Sequence, residues 1–296
     1  MNPNLNLNRD ATLLTYRNAR YLKATAAAAL LAVTVYLAGG EAGSPGYGGT
    51  VAGYGLGIAA TLLLLVLMFY GVARRGFGWR RKAGRVARGE GATLQGWLSA
   101  HVYLGGLLLV LATLHSGFEF GWNVHTLPYA LMVLVMASGG YGLYAYLTLP
   151  ARLTANLGGE TLADLLLKVA ELDRSAEARA LQLPDEVNAL VRAACRETRV
   201  GGDLWQQLSG VQRDCPTHAA LQRLPELAGK CREPAEQAAL RDLYEALSRK
   251  EGMLLRARAD IMLRARMTVW LRLHAPLGIA LLAALVAHVF TVYYFW

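Results

Sequence analysis

Two stretches of this chain share one pattern: HVYLGGLLLVLATLH at residues 101–115 and HAPLGIALLAALVAH at residues 274–288. Each is an apolar run that begins and ends with histidine. The fourteen-residue spacing makes just under four turns of α-helix, so the two histidines of a run lie on one helix face, about 21 Å apart along the axis. The sequence therefore predicts two helices that each present histidines at two levels.

Five apolar segments have the length and composition of membrane-spanning helices. They cover residues 24–40, 51–73, 97–116, 127–147 and 269–296. The first four fall within residues 1–150, and a charged segment at 151–268 separates them from the fifth. That segment has amphipathic helical periodicity broken by prolines, which predicts a soluble helical insertion. The predicted fold class is all-α, an integral membrane helical bundle of about five transmembrane helices with this insertion.

The net charge of +9 is distributed unevenly and indicates a topology. The insertion holds 18 basic and 17 acidic residues, so the basic excess belongs to the membrane part, and no nucleic-acid partner is predicted. The connector at 74–96 carries seven Lys and Arg residues, whereas the loops at 41–50 and 116–126 carry none. Because inward segments are the basic ones, we expect the N-terminus and the insertion in the cytoplasm and the C-terminus outside. The expected location is a bacterial inner membrane, with the C-terminus in the periplasm.

This topology makes the third and fifth spans parallel, since both run outward. His101 and His274 are then level near the cytoplasmic surface, and His115 and His288 are level near the outer surface. Two histidines that face each other across a bundle are typical ligands of a haem iron. We therefore predict an inner haem iron held by the first pair and an outer haem iron held by the second.

Further residues bear on these two haems. Gly105 and Gly278 each follow an inner histidine by four residues, where a small residue lets a flat macrocycle lie against the helix. The chain has no C-x-x-C-H sequence, so both haems are expected to be non-covalent haem b. Arginines near the inner surface are candidate partners for the propionates, although the same residues fit ordinary positive-inside topology: Arg80, Arg81, Arg264, Arg266 and Arg272.

Other interpretations of these residues stay open. A histidine in a membrane helix is also a hydrogen-bonding or proton-relay residue, which would suit a non-haem proton-coupled transporter. Glu119 and His125 on an outer loop are candidates for binding a quinone, a metal or an oxidant, or are simply solvated. The three cysteines, Cys195, Cys215 and Cys231, match no iron–sulfur or zinc spacing.

The paired H-x13-H helices resemble the transmembrane domain of ferric reductases and NADPH oxidases, a bis-histidine dihaem cytochrome b. More loosely, they are similar to the cytochrome b subunits of bacterial respiratory complexes. The resemblance covers residues 50–147 and 269–296. It implies that His101 pairs with His274 and His115 with His288, as the level argument also predicts.

The function expected from this resemblance is transmembrane electron transfer. The chain contains neither G-x-G-x-x-G nor a Walker A sequence, so a flavin or nicotinamide donor is expected on another molecule. We expect a subunit of a redox complex in the lipid bilayer, linking a quinone or cytoplasmic donor to a periplasmic electron carrier. The alternative is a ferric or oxygen reductase that works with a separate flavoprotein.

Overall fold

The computed structural model describes residues 13–39, 42–44, 46–82, 94–121, 126–231 and 233–295. In these ranges the chain forms helices and no strand, which confirms the predicted all-α class. The helices are α1 (Tyr16–Ala38), α2 (Val51–Lys82), α3 (Leu94–His115), α4 (Thr126–Leu157), α5 (Leu162–Ala180), α6 (Asp185–Arg196), α7 (Leu204–Ser209), α8 (Pro216–Ala228) and α9 (Pro234–Phe295), with a 3₁₀ turn at Tyr47–Gly49.

Five of these helices, α1, α2, α3, α4 and α9, are long and apolar enough to cross a membrane. Their outward faces carry exposed apolar side chains, for example Leu30, Phe69, Ile279 and Val286. A soluble protein rarely exposes so much continuous apolar surface, whereas a lipid environment favours it. Both features fit an integral membrane protein whose surrounding solvent is the lipid bilayer.

Two of the spanning helices extend well beyond their apolar segments. Helix α4 continues ten residues past position 147 and ends at Leu157. It is followed by Gly158 and Gly159, whose φ angles of +59° and +91° suit glycine and end the helix. Helix α9 is unbroken over 62 residues, so the apolar segment at its C-terminal end continues from a charged one without a loop.

The chain divides into two compact units. The first comprises Met1–Leu143 and Arg272–Trp296, and the second comprises Tyr144–Leu271. In the first unit α3 packs against both α1 and α2. The buried core of this unit draws on α1, α2, α3, α4 and α9, and includes Ala32, Leu64, Leu108, Met132 and Leu281. Helix α3, with two of the four paired histidines, is therefore central in the membrane unit.

The second unit contains the C-terminal part of α4, helices α5 to α8 and the first part of α9. Its largest core consists of small and branched apolar side chains from α5, α6, α8 and α9, among them Ala176, Val191, Leu224 and Leu243. Helix α5 begins with a capping box in which Thr161 and Asp164 satisfy each other's backbone N–H groups. Hydrogen bonds that the Thr161 hydroxyl and backbone N–H donate to the Asp164 carboxylate lower the pKa of Asp164.

One buried ion pair connects α5, α6 and α9 within the second unit. The Lys250 side chain is 1% exposed, and its Nζ donates to Asp173 Oδ1 at 2.5 Å and to the Ala194 carbonyl at 2.7 Å. Because a buried charge is tolerated only when it is paired, Asp173 keeps this lysine stable in the core.

We expect Asp173→Asn to destabilise the second unit by about 3 kcal/mol, since it leaves the Lys250 ammonium buried without its counter-ion. Hydrogen exchange measured by mass spectrometry on the full-length protein should show α5 and α6 peptides opening about 100-fold more often. The control is Glu245→Gln, which removes the exposed pair of Glu245 with Arg249 and should leave exchange unchanged. Equal effects of both substitutions would contradict the stabilising role assigned to the buried pair of Asp173 and Lys250.

Candidate functional site: two levels of paired histidines

The four paired histidines lie on inward-facing helix surfaces of the membrane unit. On α9, His274 and His288 are partly buried, and on the line of residues between them Leu281 is buried while Gly278 and Leu285 are partly buried. Their neighbours around the helix, such as Ile279 and Val286, are exposed. The histidine face of α9 is thus the face that packs into the bundle.

At the inner level His101 and His274 are neighbours in the membrane unit. The His101 ring is held between two groups of α2, the Leu67 carbonyl, to which it donates a hydrogen bond, and the Tyr70 ring, whose centroid is 4.8 Å away. His101 Nδ1 is buried and has no hydrogen-bond partner among the described residues. A buried nitrogen with a free lone pair beside a second histidine is suited to bind a metal ion.

His274 is positioned by helix α4. Its Nδ1 lies 3.2 Å from Ser138 Oγ. A Cβ atom built at Gly139 would be 3.7 Å from His274 Cε1, so α4 approaches this ring closely. A neighbouring hydroxyl of this kind orients the imidazole and hydrogen-bonds to Nδ1 in either tautomer, since a hydroxyl both donates and accepts.

At the outer level the rings of His115 and His288 have centroids 6.2 Å apart and planes at 88°. His115 Nδ1 lies 2.8 Å from the carbonyl oxygen of Gly53 on α2. Since a carbonyl only accepts, Nδ1 carries the proton and Nε2 keeps its lone pair. Metal-binding histidines commonly have this arrangement, in which the second nitrogen donates to a backbone carbonyl.

Glycines of α2 and the preceding turn make room for the His115 ring. A Cβ at Gly57 would lie 2.7 Å from Cε1 and 2.9 Å from Nδ1 of His115, closer than real Cβ atoms approach. A Cβ at Gly48 would lie 3.1 Å from the His115 carbonyl oxygen. Gly55, by contrast, faces open space. This role of α2 was not predicted from the sequence, in which the glycine repeat at 53, 55 and 57 is the only signal for it.

Gly105 and Gly278, predicted to lie against a macrocycle, are each covered by a methionine. A Cβ at Gly105 would be 3.4 Å from Met136 Sδ, and one at Gly278 would be 3.6 Å from Met68 Sδ. Methionine is unbranched and flexible and fills irregular spaces. A change of its rotamer can free that space for another group. A flat group therefore reaches these glycines only if both methionine side chains move aside.

The outer level is covered by the turn that contains Tyr47. This side chain is 0% exposed, packs edge-on against Tyr36 with centroids 4.7 Å apart, and has a buried hydroxyl with no partner among the described residues. Gly117, at φ +57°, leaves room for it, since a Cβ there would be 2.7 Å from the Tyr47 Cβ.

Glu119 stabilises the same turn. Its two carboxylate oxygens accept hydrogen bonds from the Gly46 N–H at 3.1 and 3.0 Å. Glu119 is thus engaged in holding the loop, while His125, its companion in the proposed quinone or metal site, lies outside the described residues.

The candidate propionate arginines differ in their surroundings. Arg264 pairs with the buried carboxylate of Asp260, and Arg266 Nε donates to the Leu208 carbonyl at 3.0 Å. Arg272 is exposed and belongs to the membrane unit, two residues before His274. The side chains of Arg80 and Arg81 lie outside the described part of the chain.

The cysteines of the second unit are free thiols in different environments. Burial and the nearby Asp173 raise the pKa of Cys195 to about 12. Cys215 precedes α8, and although burial opposes ionisation, hydrogen bonds from Arg258 and from backbone N–H groups lower its pKa.

His218, in the Cys215-Pro-Thr-His218 sequence, pairs with Glu251 at 2.6 Å instead. Across the described ranges no group of three or more His, Cys, Asp and Glu side chains is arranged to hold a metal ion.

Comparison of the chain with protein-family models, with curated proteins and with solved structures gives no match. The features of the chain that bear on its function are therefore the geometry of the histidine pairs and the sequence patterns around them.

Proposed function

We propose that this chain is a membrane cytochrome b that carries electrons across the bilayer through two b-type haems. The observation that carries the proposal is the outer histidine pair, in which His115 keeps a lone pair on Nε2 while His288 faces it at 6.2 Å. Two imidazoles bound to one iron from opposite sides have ring centroids about 6 Å apart, given metal–nitrogen bonds of about 2 Å and the ring radius. The donor set at this level fits a haem iron.

The inner pair supports the same assignment, although different neighbouring groups orient its histidines. His101 brings a buried, unpartnered nitrogen, and His274 brings a ring oriented by Ser138. The two levels are linked by the fourteen-residue spacing within α3 and within α9. His101 and His274 would hold the inner haem, and His115 and His288 the outer one.

The chain's own residues have three tasks in this function. The carbonyls of Gly53 and Leu67 fix the protonation of the two α3 histidines, so that each keeps one lone pair available. The apolar core between the levels excludes water. A haem held by these residues would supply one-electron transfer. The turn with Tyr47 limits the access of solvent to the outer pair.

We further propose the cellular setting from the charge pattern. The chain would lie in a bacterial inner membrane with the N-terminus and the insertion in the cytoplasm and the C-terminus in the periplasm, as a subunit of a redox complex. A quinone or a cytoplasmic donor would meet one face and a periplasmic electron carrier the other. Co-purification of tagged protein from its native membrane, followed by mass spectrometry, identifies the other subunits.

The proposal is tested by spectroscopy of the purified full-length protein in detergent. We expect a reduced-minus-oxidised spectrum with the Soret and α bands of b-type haem, about two haems per chain by pyridine haemochrome assay, and low-spin electron paramagnetic resonance signals from bis-histidine iron. Purified protein that contains no haem would overturn the proposal. The proton-relay interpretation would then remain, and proton-flux measurements in vesicles test it. A high-spin haem that reacts with oxygen would favour the alternative function, a ferric or oxygen reductase.

A further inference from the structure

We propose that helix α7 and the residues after it form a membrane anchor that holds the second unit against the headgroup layer of the bilayer. This inference concerns the soluble unit and is independent of haem binding. Its starting point is a cluster of large apolar side chains that the fold leaves uncovered: Leu204 is 59% exposed, Trp205 77% and Val211 57%.

The short helix that carries this cluster is well defined. Asp203 caps its N-terminus in a capping box with Gln206, and Gly210 ends it at φ +72°. Both ends are therefore satisfied without help from the exposed residues, which implies that Leu204 and Trp205 are not required for the local structure.

Contacts with α9 place this cluster next to the start of the fifth apolar segment. Arg266 Nε donates to the Leu208 carbonyl at 3.0 Å, and a Cβ at Gly210 would lie 3.0 Å from Met262 Sδ. The apolar segment begins near Val269, only three residues after Arg266, or about 4.5 Å along the helix axis. Helix α7 thus contacts α9 within one helical turn, along the chain, of the residue where the apolar segment begins.

The chemistry of the cluster fits the membrane–water interface. Tryptophan is enriched at headgroup level because its ring is apolar and its N–H needs a polar partner. Exposed arginines nearby, Arg199 and Arg213, suit the phosphates of anionic lipids. Helix α7 is hydrogen-bonded to α9 at Arg266, three residues before this apolar segment of membrane-spanning length, and this adjacency along the chain commits the cluster to lipid as its partner.

Photo-cross-linking tests the proposal on the full-length protein in nanodiscs of phosphatidylethanolamine and phosphatidylglycerol. Trp205→p-benzoylphenylalanine should yield lipid adducts by mass spectrometry after illumination. The matched control is Leu181→p-benzoylphenylalanine at a position 72% exposed. It follows Arg179, which donates to the Asp242 carbonyl, about 40 Å along α9 from Val269, so it should yield none.

Lipid adducts at position 205 and none at 181 would support the anchor. Adducts at neither position, or equally at both, would overturn it. Repetition in native membranes distinguishes a protein partner, because cross-linking of position 205 to another polypeptide in place of lipid would also overturn the proposal.

Discussion

Replacing either histidine of a pair is expected to remove one haem and leave the other. His101→Leu and His274→Leu should each lower the haem content from about two to about one per chain and delete the same spectral component. His115→Leu and His288→Leu should delete the other component. The reason is that a leucine provides no nitrogen to bind the iron of that level, while the second level lies about 21 Å away along the helices. Redox titration of the purified variants resolves the two components.

The control for this series is His218→Gln in the second unit. His218 is exposed and pairs with Glu251, and its replacement should leave both components unchanged. If His101→Leu and His274→Leu removed different components, the inner pairing would be wrong. If all four variants retained both haems, none of these histidines would be a ligand.

Adding a single methyl group at Gly57 is expected to disrupt the outer level selectively. In Gly57→Ala the new Cβ would lie 2.7 Å from His115 Cε1, so the ring must move away from α2 and lose its hydrogen bond to the Gly53 carbonyl. Loss of such a supporting contact typically costs about 10- to 100-fold in metal affinity. We expect a strongly reduced content of the outer haem and an unchanged inner component, both measured by redox titration.

Gly55→Ala is the matched control for this substitution. It lies on the same helix, gains the same helix propensity, and meets no atom within 4 Å. The protein should fold equally well with either alanine, which thermal unfolding checks. A normal content of the outer haem in Gly57→Ala would mean that His115 does not bind the haem iron from its position against α2.

The fold was predictable where it depends on local properties of the sequence. Five apolar runs of membrane-spanning length define five helices, since the bilayer sets the required length and composition. The C-terminal end of α4 and the start of α9 were less predictable from hydropathy because both lie outside the apolar runs. Helix α4 ends at the glycines 158 and 159, ten residues beyond its apolar run, and hydropathy carries no information about such a stop.

In the candidate site, too, the features set by local sequence were predictable, and those that depend on helix packing were not. The levels of the histidines follow from spacing within α3 and within α9, which helix geometry fixes. The contribution of α2 depends on which helices pack together. Gly55 and Gly57 look alike in the sequence, yet only Gly57 lies under an imidazole. The methionines over Gly105 and Gly278 were likewise not foreseen, because nothing in the sequence pairs residue 136 with 105 or residue 68 with 278.

The fourteen-residue spacing also has an electrical consequence. Two levels about 21 Å apart span about two-thirds of a hydrocarbon core about 30 Å thick. An electron that moved the full distance between them would cross a similar share of the membrane potential. At about 2.3 kcal/mol per 100 mV for a complete crossing, this is about 1.6 kcal/mol, or roughly 15-fold in the equilibrium between the two levels. For the proposed function, the energised state of the membrane would thus decide at which surface the electron resides.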